Sequence, residues 1–172
     1  MTDRVKNSIP GPAECSELME QYAMLPNIVL HSRQVMRVAL AIVDHLREDV
    51  TVNRDMVIAG ALLHDITKTR SLQTKERHDA SGGSLLRELG FPFIADIVEQ
   101  HVRLHELNHE GAINEKEIVY YADKRVMHDT IVTVEERVRD LINRYGRDEA
   151  TRSQILQNAQ QVLAVERKLA GF

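Results

Sequence analysis

His64 and Asp65 close an apolar run, Val57, Ile58, Ala59, Ala61, Leu62 and Leu63, and are followed by Ile66 and Lys68. An imidazole and a carboxylate at the buried edge of a helix are a pair of metal ligands. Two other His-Asp pairs, His78-Asp79 and His128-Asp129, lie in more polar settings, and Asp79 and Asp129 are expected to be solvated. Further donors stand at intervals on other expected helices: His31, His78, His101 and Asp123. A hydrolytic metal centre needs ligands that hold a cation while leaving a position for water, and imidazoles with carboxylates meet that need. A carboxylate can bridge two cations whereas a neutral imidazole binds one, so Asp65 is assigned as the bridge and the four histidines are divided between two ions.

Neighbouring helical residues diverge by about 100°, so His64 and Asp65 can serve one centre only where a helix gives way to a loop facing a cleft. The pattern supplies such a place. Asn53 is an N-cap for a helix whose apolar residues end at the pair, and the polar stretch Thr67 to Arg77 reads as a loop. Upstream, Met1 to Pro12 reads as a flexible arm, and residues 13–172 as one helical domain. A first helix is expected from about Glu14 to Met24, and a second from Asn27 or Ile28 to about Arg47, with His31 on its inward stripe beside Ile28, Val35, Val38 and Ile42.

A helix from about His78 to Leu89 is stopped by Gly90 and Pro92, and the next, from about Phe93, carries His101 in line with Ile94, Ile97 and Val98. Asn114 and Glu117 make a capping box for a helix bearing Val119, Tyr120, Asp123, Val126 and Met127. Thr133 and Glu136 cap the following helix, which ends at Gly146, and Asp148 begins the last, through Ile155, Ala159, Val162 and Val165. The apolar stripes of these two are core or subunit contacts, leaving room for a homodimer, while the Glu135-Glu136-Arg137 and Glu166-Arg167-Lys168 charges are a solvated face.

Composition agrees with an all-α fold of about seven to eight helices. Hydrophobic residues make up 43% of the chain, aromatics only 4%, and Trp is absent, which suits an aliphatic helix-packed core. The net charge of -4 with mixed signs offers no field for a long nucleic acid or an anionic membrane. Cys15 is the single cysteine, and no 18-residue apolar span or signal pattern is present, so the chain reads as cytoplasmic.

The ordered set His31, His64-Asp65, His78, His101, Asp123 resembles that of the HD superfamily of metal-dependent phosphohydrolases over roughly Pro26 to Arg144. Ala61-Leu62-Leu63-His64-Asp65-Ile66-Thr67-Lys68 is similar to its apolar-HDIxK element, with Thr67 in place of the glycine of the HDIG variant. Glu117 to Lys124, followed by Val134-Glu135-Glu136-Arg137, is similar to the closing section of small stand-alone bacterial members and of HD domains attached to molybdenum-cofactor nucleotidyltransferases. The GYP element of the cyclic-dinucleotide branch is missing.

The resemblance implies an HD-type helical bundle. In it His31, His64, Asp65 and Asp123 correspond to the four-ligand set, and His78 and His101 to the added histidines of two-metal branches. It implies hydrolysis of a small phosphorylated substrate, most simply a nucleotide, in which a metal-bound hydroxide attacks phosphorus and Asp65 joins the ions. His31, His64 and Asp123 hold the first ion, and His78 and His101 the second. Four imidazoles with two carboxylates suit Fe, Mn, Co or Ni, with Zn acceptable, better than Mg. Lys68 is the favoured catalytic cation for phosphate oxygens, Lys124 a second substrate contact, and Arg70, Arg77 and Arg125 are further candidates. His105 is assigned to an outer shell at most. An HD-type di-iron oxygenase with the same ligand order and a non-catalytic nucleotide-sensing module are the alternatives.

Overall fold

The computed structural model describes residues 8–107 and 109–171. Residues 1–7 of the expected arm lie outside these; Pro10, further along it, is buried, and its carbonyl accepts from Cys15 Sγ at 3.6 Å. The order is α1 (Pro12–Gln21), α2 (Pro26–Asp44), α3 (Arg54–Leu63), α4 (Lys68–Thr74), α5 (His78–Glu88), α6 (Pro92–Glu99), α7 (Glu115–Lys124), β1 (Val126–Met127), β2 (Thr130–Ile131), α8 (Val134–Tyr145) and α9 (Glu149–Leu169). The fold is all-α apart from the two-stranded antiparallel ladder, in which Val126 pairs with Ile131 and Met127 with Thr130. No described helix is long and apolar enough to cross a membrane.

Helix starts follow local chemistry. Proline, whose fixed φ and missing N–H suit the first turn, opens α1, α2 and α6. The side chains of Asn53, Asn114, Thr133 and Asp148 accept from backbone amides of α3, α7, α8 and α9, and both Asn114-Glu117 and Thr133-Glu136 are reciprocal capping boxes.

The core is aliphatic. Val35 of α2, Val57 and Leu63 of α3, Ile94 and Ile97 of α6, and Ile118 of α7 are fully or almost fully buried. Thus α2, α3 and α7 form the centre, the α5–α6 hairpin closes one side, and the α8–α9 hairpin reaches α7 through α9. Helices α5 and α6 approach closely at Gly82, where a Cβ would lie 2.9 Å from Val98 Cγ1.

Two expectations change. The stretch Thr67 to Arg77, read as a loop, contains α4, which has no apolar stripe to announce it. It is held by local bonds, Ser71 N to Thr67 O at 3.0 Å and Ser71 Oγ to Lys68 O at 2.7 Å, and ends at Lys75 in a left-handed conformation. The helix expected to include Val126 and Met127 stops at Lys124. His128, at φ 59°, turns the chain into the ladder, and Val132 N reaches Arg125 O at 2.8 Å.

Candidate metal centre

The α3 C-terminus delivers His64 and Asp65 into a turn, α2 presents His31, α5 begins with His78, the residues just after α6 include His101, and the last turn of α7 holds Asp123. All six expected ligands meet in one place. His31 Nε2 lies 3.0 Å from Asp123 Oδ1, and His64 Nε2 lies 3.6 Å from both Asp123 Oδ1 and Asp65 Oδ2. On the other side, Asp65 Oδ1 is 3.2 Å from His78 Nε2 and 3.5 Å from His101 Nε2, and these two nitrogens are 3.2 Å apart. The donors fall into two groups able to hold an ion, His31-His64-Asp65 and Asp65-His78-His101, with Asp65 in both. Its Oδ2 faces one group and its Oδ1 the other.

Hydrogen bonds to carbonyls fix three imidazole tautomers. His31 Nδ1 donates to His128 O at 2.8 Å, His64 Nδ1 to Ala61 O at 2.7 Å, and His101 Nδ1 to Val98 O at 2.6 Å. A carbonyl only accepts, so each Nδ1 carries a proton, and a ring in its neutral form turns an Nε2 lone pair inward. His64 Nε2 is buried with no hydrogen-bond partner among the described residues. Lone pairs facing each other at these distances call for a proton or a cation between them. Bonds of about 2.1 Å to one ion would set adjacent donors roughly 3 to 3.5 Å apart, and the spacings here match. The residues present fit divalent transition ions.

Electrostatics favour the ligand forms of His64, His78 and both carboxylates, and the protonated form of His31. Burial lowers the pKa of His64 to about 4 against the pull of Asp65 and Asp123, so its imidazole is neutral at pH 7. Burial also outweighs the nearby Asp65 carboxylate at His78 and lowers its pKa. At His31 the order reverses: burial disfavours the charged form, but the hydrogen bond and charge of Asp123 raise the pKa overall. Burial opposes ionisation of both carboxylates, yet His64, His101 and His78 hold Asp65, and Lys124 with His31 hold Asp123, well below the ordinary range.

The cleft over this cluster has a volume of about 520 Å³, and its walls include Lys68, Arg137, Leu141, Tyr145 and Ile155. Lys68 Nζ lies 3.4 Å from His78 Nε2. Lys124 is buried, donating to Asp123 Oδ2 at 2.6 Å and to His101 O at 2.8 Å while lining the cleft edge. Thr67, in the glycine position of the HDIG variant, donates from Oγ1 to His78 O at 2.8 Å and ties the turn to α5.

Other residues sit elsewhere. Arg70 pairs with Glu76, and Arg125 with Tyr121 and the carbonyl of Val132, away from the cluster. Arg77 reaches the cleft wall but is committed to Asp79. Asp79 is buried, not solvated, because that guanidinium covers it. His105 and His109 are exposed and absent from the cleft lining. Arg137, assigned from sequence to a solvated face, lies largely buried in the cleft wall. Only its place in the closing segment with Asp123 pointed that way.

A model of the HD domain family matches residues 28–159. The chain belongs to the HD domain family. It is 35% identical over 132 residues to the dihydroneopterin 2',3'-cyclic phosphate phosphodiesterase of Methanocaldococcus jannaschii, a match covering 66% of this chain and 53% of that protein. A second relative, the tRNA (cytidine(56)-2'-O)-methyltransferase of Thermoplasma volcanium, is 32% identical over 95 residues, covering 55% of this chain and 26% of that one. The chain thus spans about half the length of the first relative and a quarter of the second. The crystal structure of a predicted HD superfamily hydrolase from an uncultured Thermotogales bacterium shares the fold, with a TM-score of 0.52 at 24% identity, covering 97% of this chain and 96% of that one.

Proposed function

We propose that this HD-domain protein is a metal-dependent phosphohydrolase that uses two divalent ions to cleave a phosphoester or phosphoanhydride of a small metabolite, most simply a nucleotide. The observation that carries the reading is Asp65, whose two oxygens face two separate groups of imidazole donors. In this reading His31, His64 and Asp123 would hold one ion, His78 and His101 the other, and Asp65 would serve both. When bound, such ions supply Lewis acidity, lowering the pKa of a water and offsetting phosphoryl charge. The protein's own residues do the rest. Nδ1–H bonds to backbone carbonyls keep the Nε2 atoms aimed inward, so little ordering remains at binding. Lys124 satisfies Asp123 Oδ2 and leaves Oδ1 toward the cluster. Lys68, at the cleft wall beside His78, offsets charge on the phosphoryl oxygens, and Lys124 adds positive charge at the cleft edge.

The Methanocaldococcus relative, by its name a cyclic phosphate phosphodiesterase, supports a small phosphorylated substrate. The test is elemental analysis of the purified protein followed by an anaerobic screen with Mn(II) against nucleotides, dinucleoside polyphosphates and cyclic phosphodiesters. Release of a phosphorylated or dephosphorylated product is expected. Iron-dependent oxygen consumption with no phosphate chemistry would overturn the proposal in favour of an oxygenase.

A further inference from the structure

Arg137 is held in an unusual way for a residue of an amphipathic surface helix. Its side chain is 17% exposed, and its Nε is buried without an acceptor among the described residues. Its partner is Asp140, one turn on, which accepts from Arg137 Nη1 at 3.1 Å and, through its other oxygen, from Arg144 Nε at 2.8 Å. Arg144 Nη2 in turn lies 3.0 Å from His128 Nε2, and the carbonyl of His128 holds the His31 ring. A continuous set of contacts therefore joins the α8 guanidinium groups to a candidate ligand. One carboxylate serves two guanidinium groups, so the trio carries a net positive charge.

The position matters as much as the charge. The cleft has a second lobe of about 410 Å³ beside Asn27, Leu30 and Arg144, and the two lobes share His31, Asp65, Lys68, Arg137 and Tyr145. Arg137 therefore stands where the lobes meet, beside the ligand cluster. A guanidinium offers a planar fork of donors suited to phosphate oxygens, and only one terminal nitrogen of this one is engaged, by Asp140.

We infer that Arg137 is a phosphate-binding residue, with Asp140 holding Nη1 so that the remaining terminal N–H groups of the guanidinium meet an oxygen of the phosphoryl group bound at the cluster. The inference rests on the phosphohydrolase reading and adds to it the group that grips the anion from the α8 side. The ligand class is a phosphate ester or free orthophosphate.

The experiment is calorimetric titration of orthophosphate into the Mn(II)-loaded full chain, with metal content measured on every sample. Arg137→Gln is expected to bind Mn(II) as wild type does but to weaken orthophosphate affinity about 10- to 100-fold. Arg137→Lys keeps the charge and stem yet lacks the planar fork, is expected to fall between the two, and carries the test if the glutamine variant does not fold. Arg139→Gln, on the exposed side of α8 and paired with Glu135, controls for general charge and is expected to match wild type. Wild-type affinity in both Arg137 variants, or equal weakening by Arg139→Gln, would overturn the assignment while leaving the phosphohydrolase reading intact. A wild-type protein that holds metal and binds no orthophosphate would overturn both.

Discussion

Helix α7 carries a buried charge near each end, and the two are treated oppositely. Glu117 in its first turn is fully satisfied: Lys168 of α9 donates to both carboxylate oxygens at 2.8 Å, and the backbone N–H of Asn114 donates to Oε2 at 3.1 Å in the capping box. Asp123 in its last turn keeps one oxygen on Lys124 and turns the other toward His31 and His64, where an Nε2 has no partner. Both are nearly inaccessible to water. The first arrangement closes its own hydrogen bonds and serves the fold. The second leaves lone pairs pointing at one another, a cost that makes sense where a cation completes the set. Polar burial is thus informative through its unmet valences.

That contrast can be broken at its functional end first. Asp65→Asn removes the carboxylate shared by both groups, and hydrolysis is expected to drop by more than the roughly 10²- to 10³-fold typical of losing one transition-state donor. Added Mn(II) should raise the thermal midpoint of wild type but not of this variant, as followed by circular dichroism. Full metal content in Asp65→Asn would end the two-group reading.

At the structural end, Glu117→Ala removes one partner of the buried ion pair with Lys168 and is expected to cost about 3 to 5 kcal/mol in denaturant unfolding. The metal-to-protein ratio of the folded fraction should not change. A finer cut separates the two donor groups. His78→Ala or His101→Ala is expected to lower bound metal toward one ion per chain and to weaken turnover without abolishing it, read by elemental analysis beside kinetics. The smallest effect is Tyr120→Phe: its hydroxyl donates to Asn158 Oδ1 at 2.6 Å, linking α7 to α9, and its loss should cost about 1 kcal/mol with metal content unchanged.

Much of the His and Asp cluster was legible because helical spacing is a local property. His31 and Asp123 fall in line with apolar neighbours that must face inward, and His64-Asp65 end a run too apolar to be exposed. What stayed hidden depended on distant partners. Glu117 reads as a capping residue from its spacing to Asn114, but its ion pair lies 51 residues away, with Lys168, which the charge run assigns to a solvated face and which is buried instead. Asp79 looks solvated until Arg77 is seen folded over it. Arg137 pairs at i,i+3 as any surface arginine does, and only the placement of α8 over the cleft gives that side chain another reading. Helix α4 escaped because its stability comes from side-chain-to-backbone bonds rather than an apolar stripe.

The missing side chain at Gly82 works as a spacing gauge. Helix α5 starts with His78 and α6 leads into His101, so the gap between their axes governs how far apart those two rings can stand. A methyl there would run into Val98 and wedge the hairpin wider. The reach of the second donor group is therefore tuned one helical turn away from any donor, by an atom that is absent.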